Sequence, residues 1–272
     1  MWIYIIVGIA LVIFCAYSLY RGFFIEPKQL RETEYAVSLE GYNAANSPKR
    51  LAFISDLHVG KHFTPAMLGK AVTRIMASSP DLILIGGDFV EEKTPLNDPD
   101  LKREYIEQLS RLKADFGVYA VLGNHDAEAA VNLDYVREIL TASNISLLRN
   151  ETVELGDLLL TGLDESFYGK PDISAVDSDK TRAQIILMHQ PDPLPREKDM
   201  SPRQLVLSGH THNGQVTLFG LAFHTVPDGR EYVYGHYRLS DGAQVITSAG
   251  LGTVHIYARY FNLPEIVTIT LN

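Results

Sequence analysis

The sequence predicts an α/β fold, and two patterns along the chain carry that prediction. In the first half, short apolar runs typical of buried strands alternate with stretches whose apolar residues recur at helical spacing. The second half consists mostly of short apolar runs, which indicate further strands. We therefore expect parallel strands joined by helices, followed by a strand-rich half of the same domain.

Three helices and six later strands are expected. Residues 65–78 carry an apolar stripe, and Thr64 followed by Pro65 is a suitable helix start. Residues 101–112 and 133–140 show the same spacing. The later strands are expected at residues 153–155, 158–163, 184–188, 204–207, 244–248 and 266–271.

The N-terminal segment is apolar enough to cross a membrane. Residues 2–20 contain no charged side chain, and at about 1.5 Å per residue they nearly match a hydrocarbon core of roughly 30 Å. Aromatic residues lie near both ends, as they do at membrane interfaces. A cleaved signal peptide is the alternative, but no Lys or Arg precedes the run, and Phe14 before Cys15 fits a lipoprotein acceptor poorly. Residues 1–20 are therefore predicted to be an uncleaved transmembrane anchor.

The charges after the anchor predict its orientation. Arg21, Lys28 and Arg31 follow the span, so the positive-inside rule puts the rest of the chain on the cytoplasmic side. The single cysteine, Cys15, lies within the span and allows no intrachain disulfide, which is compatible with a reducing compartment.

The remaining chain is read as a linker and one domain. Residues 21–49 are predicted to be a linker with a possible first strand, and residues 50–272 are enough for one well-buried domain. The net charge is −9 and the sequence has no Lys/Arg-rich stripe, which disfavours nucleic acid as a partner. No protein partner is predicted.

Polar motifs follow five apolar runs, and they are the most informative feature of the chain. Because open α/β sheets bind ligands outside the carboxyl ends of their strands, we expect the motifs to form one site. They are Ser-Asp-Leu-His at 55–58, Gly-Gly-Asp at 86–88, Gly-Asn-His-Asp at 123–126, His189, and Gly-His-Thr-His at 209–212.

These motifs supply metal ligands. Hard oxygen donors mixed with imidazoles suit Mn²⁺, Fe or Zn²⁺ better than Ca²⁺. Two ions about 3.5–4 Å apart clamp the attacking and leaving oxygens of a phosphoryl displacement. The candidate ligands are too many for one ion and suffice for two if one carboxylate bridges: Asp56, His58, Asp88, Asn124, His189, His210 and His212. The sequence therefore predicts phosphoester hydrolysis.

Each motif taken alone also has an ordinary structural interpretation. An Asp-x-His pair is commonly a surface or capping pair, Gly-Asn-His-Asp favours a turn, and a lone histidine such as His189 is often a core residue. Their joint occurrence, in order and at strand ends, favours the metal site. His62, His224, His236 and His255 match no motif and are structural or substrate-facing, with a structural role favoured for His236 and His255.

The order of the motifs resembles that of the calcineurin-like metallophosphoesterases, whose pattern is D-x-H, G-D, G-N-H-D/E, H and G-H-x-H. The resemblance extends from about residue 50 to the C-terminus and is strongest to the bacterial membrane-associated branch. It includes Gly-His-Thr-His-Asn-Gly-Gln at 209–215, Ser-Ala-Gly-Leu-Gly at 248–252 and Pro-Glu-Ile at 264–266. The chain departs at Asn213, where that branch usually has Gly, and at Ala249, where it often has Arg. Neither change removes a metal ligand, but the second removes a possible phosphate contact.

The resemblance implies a four-layer fold, with two packed sheets flanked by helices, and a role for each polar residue. His125 would be the proton donor to the leaving oxygen, and Asp126 would orient its imidazole. Two divalent ions are implied, with Mn²⁺ the first choice and Fe or Zn²⁺ the alternatives. The ligands would be Asp56, His58 and His212 for the first metal, Asn124, His189 and His210 for the second, and Asp88 for both.

The substrate is the least determined expectation. Residues 216–224 are rich in large apolar side chains and form either an ordinary hairpin or an apolar rim that accepts acyl chains or touches the bilayer. Membrane-anchored relatives include a UDP-2,3-diacylglucosamine pyrophosphatase of lipid A synthesis, so a nucleotide-glycolipid at the inner membrane is the specific expectation. A phosphodiesterase or phosphatase acting on other substrates is the alternative. A scaffold that has lost its metals is a remote alternative, since no ligand is missing.

Overall fold

The layers of the fold follow from the alternation of side chains along its strands. The computed structural model describes residues 2–176, 181–218 and 220–272, in which two six-stranded sheets pack together. Successive side chains of a strand point to opposite faces. In strand β2 (Arg50–Ile54), Ala52 and Ile54 join a core shared with helices, whereas Leu51 and Phe53 join the core between the sheets. A third core covers the outer face of the second sheet. The predicted fold class is confirmed.

The first sheet combines parallel strands with one antiparallel strand. Its members in chain order are β1 (Arg31–Val37), β2, β3 (Leu82–Ile85), β4 (Val118–Ala120), β5 (Ser146–Leu147) and β14 (Glu265–Leu271). Their spatial order is β1-β14-β2-β3-β4-β5. Strands β2 to β5 run parallel, while β14 is antiparallel to β2 and parallel to β1. The carboxyl ends of β2, β3 and β4 therefore meet at one edge.

The second sheet repeats this arrangement with four parallel strands in its middle. Its members are β6 (Glu151–Leu155), β7 (Leu158–Gly162), β8 (Gln184–Leu187), β9 (Gln204–Ser208), β12 (Gly235–Arg238) and β13 (Gln244–Thr247). They lie in the order β12-β13-β9-β8-β7-β6, with β12 and β6 antiparallel to their neighbours. A separate hairpin joins β10 (Thr217–Leu218) to β11 (Leu221–Ala222). All six strands predicted for the second half are present, and β12 was not predicted.

The three predicted helices are confirmed, and the short helices were missed. The helices are α1 (Trp2–Tyr20), α2 (Pro65–Ala77), α3 (Pro99–Leu109), α4 (Asn124–Ala127), α5 (Ala130–Ala142) and α6 (Pro193–Glu197). The Thr64 side chain accepts a hydrogen bond from the Met67 N–H, which caps α2 as expected. Helices α4 and α6 span four and five residues, too few to show a helical period in the sequence.

The N-terminal helix is joined to the first sheet by short helical turns, so no extended linker separates the helix from the sheet. After α1, a π-helical turn (Arg21–Ile25) and a 3₁₀ turn (Glu26–Lys28) follow, and the combined helix is long and apolar enough to cross a membrane. Strand β1 lies in the segment predicted as a linker and pairs with β14 over its whole length. The folded unit therefore begins at residue 31 rather than at residue 50, because β1 extends the first sheet.

Candidate metal centre

The five polar motifs meet where the carboxyl ends of both sheets face each other. Two hydrogen bonds join three of these motifs: the Gly209 N–H donates to the His189 carbonyl oxygen at 3.0 Å, and the His210 N–H donates to the Asp56 carboxylate at 2.9 Å. All seven predicted ligands are buried, with at most 8% of each residue exposed. We call these seven residues the metal cluster: Asp56, His58, Asp88, Asn124, His189, His210 and His212.

The backbone turns sharply at these strand ends. Five of the seven ligands adopt the left-handed conformation, which is uncommon for residues other than glycine and concentrates at functional sites. They are Asp56, His58, Asp88, His210 and His212, with φ between +43° and +68°. The glycines beside them allow the close approach, since a Cβ on Gly209 would overlap the Asp56 carboxylate and the Ser55 side chain. The turn directs the side chains back towards one another.

The ligands predicted for the first metal lie within reach of one ion. Asp56, His58 and His212 each offer a ligand atom, and these atoms all lie within 4.8 Å of one another. The Nε2 atoms of His58 and His212 are 3.1 Å apart, and the His212 Nε2 lies 3.4 Å from Asp56 Oδ1. The Nδ1 atom of His58 is 3.0 Å from the carbonyl oxygen of Val90, a contact that directs Nε2 into the cluster.

Of the ligands predicted for the second metal, the structure places His189 directly beside Asp88. The His189 Nδ1 lies 2.6 Å from the Gly86 oxygen, which leaves its Nε2 3.2 Å from Asp88 Oδ2. Asp88 Oδ2 also lies 3.5 Å from the His58 Nε2, so this carboxylate stands between the two groups. The His210 Nε2 contacts the Pro227 oxygen at 2.9 Å, which leaves Nδ1 for the cluster. Asp56, Asp88 and His189 form a second group with ligand atoms within 4.8 Å.

The donor atoms fit divalent metal ions. Among the described residues, the buried amide oxygen of Asn124 has no hydrogen-bond partner, an arrangement that costs about 1–3 kcal/mol unless a ligand satisfies it. Carboxylate and amide oxygens together with imidazole nitrogens are the donors preferred by Mn²⁺, Fe and Zn²⁺. The chain therefore holds a donor set for two such ions.

Burial and mutual charge set the ionisation of the cluster. Burial lowers the pKa of His58 to about 3 and that of His210 to about 4, so both imidazoles are neutral at pH 7. Burial raises the pKa of Asp88, but His189 and the other histidines more than offset it, and the net direction is well below the usual value. Burial lowers the pKa of His189, but the neighbouring Asp88 carboxylate more than offsets this and raises that pKa to about 10, so His189 must lose a proton when a metal binds, whereas His58 and His210 are already neutral.

The structure places a different carboxylate beside His125 than the one expected. The Asp126 carboxylate accepts hydrogen bonds from the backbone N–H groups of Phe89 and Gly123, at 2.8 and 2.9 Å. Asp126 thereby ties the loop after β3 to the start of α4 and is turned away from its neighbour. Glu128 is the carboxylate near the imidazole, with Oε2 3.3 Å from His125 Nδ1. The reason is that 125 and 128 lie three residues apart on one helical turn and so share a face.

A cavity of 740 Å³ opens above the metal cluster and extends along an apolar side. Asp88, Asn124 and His210 form part of its floor. We call the apolar lining residues the apolar wall: Phe167, Val216, Phe223, Val226, Val254 and Ile256. The wall comes from three loops, and apart from residues 216–224 the sequence showed no signal for it.

The four histidines outside the motifs divide into two pairs. His62 stacks on Tyr257 with ring centroids 3.5 Å apart, and the His236 Nε2 lies 2.9 Å from Gln244 Oε1 within the second sheet. His224 and His255 instead line the cavity. The structural role favoured for His255 is therefore corrected: its ring centroid lies 6.2 Å from that of His125, at the mouth of the site.

Arg259 supports the loop that contains Ala249. Its side chain is fully buried and donates to the carbonyl oxygens of Ala249 and Gly252 at 2.8 and 2.6 Å. Burial lowers the pKa of Arg259 to about 10, which leaves the guanidinium charged at pH 7. The Gly252 N–H in turn donates to the backbone carbonyl oxygen of Asp56 at 2.7 Å. Arg259 therefore stabilises the loop that lies behind this predicted ligand.

A short chain of contacts joins the end of the N-terminal helix to the metal cluster. Glu26 is fully buried, pairs with Arg21 at 2.6 Å and accepts from the Asn262 N–H at 3.3 Å. The side-chain amide of Asn262 then donates to the backbone carbonyl oxygen of His212 at 2.6 Å. No feature of the sequence indicated this role, because Asn262 is 50 residues from His212 along the chain.

Comparison with known proteins identifies the family of the chain. Residues 49–214 match the family described as calcineurin-like phosphoesterase. An uncharacterised metallophosphoesterase of Campylobacter jejuni is 33% identical over 82% of this chain, which spans 59% of that relative. Phosphodiesterase YaeI of Escherichia coli is 30% identical over 84% of this chain and 83% of its own length. A Danio rerio protein named transmembrane protein with metallophosphoesterase domain is 29% identical over 82% of this chain and 53% of its own length.

The chain belongs to the calcineurin-like phosphoesterase family. It is a metal-dependent phosphoesterase whose catalytic part follows one apolar N-terminal helix.

Proposed function

We propose that the chain hydrolyses a phosphodiester or pyrophosphate bond in an amphiphilic substrate at a membrane. The observation that carries this proposal is the shape of the cavity, which has the metal cluster as its floor and the apolar wall along its side. Polar groups fix the reacting phosphate in such a cavity, while apolar side chains bind the rest of the ligand.

The two ions would be held by the residues predicted from the sequence. Asp56, His58 and His212 hold the first, Asn124, His189 and His210 hold the second, and Asp88 touches both groups. Bound there, the ions supply Lewis acidity towards phosphoryl oxygens and lower the pKa of water. Mn²⁺ is our first choice because oxygen donors accompany the imidazoles, with Fe and Zn²⁺ as alternatives.

His125 is the residue that we propose to protonate the leaving oxygen. Its side chain is 15% exposed at the cavity and lies beside the metal cluster, with its ring centroid 5.3 Å from that of His58. The Glu128 carboxylate lies 3.3 Å from Nδ1, and we propose that it orients the imidazole from that side and leaves Nε2 for the leaving group. The backbone N–H of His125 donates to Asp88 Oδ1 at 2.9 Å, which fixes the helix turn that carries it.

UDP-2,3-diacylglucosamine is the most specific substrate that we propose. Its pyrophosphate suits the metal cluster, and its acyl chains suit the apolar wall. The enzyme would act at the cytoplasmic face of the inner membrane, an orientation supported by Arg21, Lys28 and Arg31 after the span. A broader phosphodiesterase activity is the second candidate, favoured by the relative named as a phosphodiesterase.

The test uses the full chain purified in detergent, stripped of metal and reloaded with Mn²⁺, Fe²⁺ or Zn²⁺. We expect metal-dependent release of UMP from UDP-2,3-diacylglucosamine in vesicles, together with slower hydrolysis of a soluble aryl phosphodiester. Hydrolysis of the aryl ester with the glycolipid left intact would overturn the specific substrate and support the broader activity. If the protein neither takes up metal nor hydrolyses either substrate, the result would support the scaffold alternative.

A further inference from the structure

We propose that the β10–β11 hairpin docks on the surface of the lipid bilayer that α1 crosses. The inserted side chains would be Leu218, Leu221, Phe223 and Ile256, which we call the hairpin patch. This inference rests on the membrane anchoring in the proposed function, but it does not depend on which lipid is the substrate.

The hairpin patch exposes large apolar side chains to solvent. Leu221 is 74% exposed and Phe223 is 71% exposed, while Ile256 and Leu218 are 58% and 42% exposed. Ile256 belongs to the patch because the Gln215 side chain, next to the hairpin, donates to its carbonyl oxygen at 3.3 Å. A contiguous exposed apolar patch on a folded domain marks a surface that binds another apolar phase.

The position of the hairpin beside α1 identifies that phase as lipid. Strand β10 contacts the segment that holds α1, since the Thr217 N–H donates to the Tyr260 oxygen at 2.9 Å. The Tyr260 hydroxyl donates to the Ser18 hydroxyl at 2.9 Å, near the end of the apolar helix. The next contact along, from Arg259 N to the Gly22 oxygen at 3.0 Å, fixes the same segment to the first turn after the span. A helix that crosses a membrane therefore brings the hairpin to the membrane surface.

The composition around the hairpin suits a lipid interface. Residues 209–227 contain no Asp, Glu, Lys or Arg in a chain in which 21% of residues are charged. Insertion of such a segment removes no charge from water. The exposed aromatic residues Tyr20 and Phe24 at the end of the helix lie where interfacial aromatics are found.

Docking through the hairpin has a direct consequence for catalysis. Val216 and Phe223 belong to the hairpin region and also to the apolar wall of the cavity. With the hairpin in the interface, the cavity opens at the level of the lipid headgroups. A phosphate headgroup then reaches the metal cluster while its acyl chains stay in the bilayer, so the lipid need not be extracted.

The test measures the depth of the hairpin in the full chain by tryptophan fluorescence. The only tryptophan is Trp2, so Trp2→Phe gives a background in which Phe223→Trp supplies one exposed indole. Phe116→Trp is the control, because Phe116 lies two residues before β4, at the edge of the sheet opposite the metal cluster. Both proteins are reconstituted into vesicles of phosphatidylcholine brominated near the top of the acyl chain.

We expect brominated lipid to reduce the emission of the Phe223→Trp protein about twofold, as for side chains buried roughly 5–10 Å into the interface, and to leave the control unchanged. Adding Leu221→Asp should relieve the quenching while the metal content of the purified protein stays the same, which shows that the protein remains folded. Emission that does not change with bromine in the hairpin protein, as in the control, would overturn the docking. Quenching of the Phe223→Trp protein, combined with no glycolipid hydrolysis by the unsubstituted chain, would keep the docking and overturn only the proposed substrate.

Discussion

The metal cluster and the apolar wall lie in one cavity but are built by opposite means. Every residue of the cluster is buried, polar and attached to the end of a strand or the first turn after it. The wall is made of apolar side chains on loops, several of them exposed, including Phe223 and Ile256. The chemistry is thus fixed by the rigid sheets, whereas the choice of substrate is left to segments that the sheets do not constrain.

The largest effect should come from the residue shared by both halves of the cluster. Asp88→Ala removes the carboxylate that lies within 3.5 Å of both His58 and His189. We expect metal content, measured by mass spectrometry of the purified protein, to fall for both ions and turnover to drop to background. Asp115→Ala, an exposed carboxylate at the opposite sheet edge, is the control and should change neither. Two ions and normal turnover in Asp88→Ala would show that Asp88 does not bridge.

A smaller loss is expected from the residue that serves the leaving group without holding metal. His125→Ala should retain its metal content and lose roughly 10²–10⁴ in rate, the usual range for general acid–base catalysis. The loss should be smaller for nitrophenyl esters, whose leaving group needs little protonation, than for alkyl esters. A comparison of the two substrates by steady-state kinetics decides the point: equal losses would contradict the acid role.

The contact between the anchor segment and the cluster should affect metal affinity. Asn262→Ala removes the amide that donates to the His212 oxygen at 2.6 Å, and partners behind a ligand typically contribute 10–100-fold to metal affinity or activity. Metal titration should show weaker binding in that range, with saturated turnover less affected. Asn43→Ala, which loses an exposed contact with Asp157, is the control. Unchanged metal affinity would mean that His212 is positioned by its own loop alone.

The smallest effect should come from the apolar wall and should depend on the substrate. Val254→Asp places a charge in the part of the wall that lies outside the hairpin patch, and losing one apolar contact with the substrate costs about 1.5–3 kcal/mol. We expect the KM for the vesicle-borne glycolipid to rise by about tenfold or more and the KM for a small aryl ester to change less. A larger effect on the aryl ester would show that the wall supports the metal cluster instead of the lipid.

The two regions also differ in how far the sequence predicted them. The ligands could be predicted because each follows an apolar run, and the carboxyl ends of neighbouring parallel strands meet at one edge. The neighbour of His125 could not, because Glu128 directly follows a four-residue helix that is too short to show a helical period in the sequence. Asn262 and the part of the wall outside residues 216–224 were missed because their positions depend on how distant loops pack, as do the left-handed backbone angles of the cluster.

The account rests on two ions acting together in the metal cluster, and a metal titration tests it most directly. Protein stripped by a chelator is titrated with Mn²⁺ while bound metal and hydrolysis of a soluble aryl phosphodiester are measured in parallel. The account predicts that two equivalents bind per chain and that activity rises mainly with the second. Full activity at one equivalent, with no further binding, would contradict it.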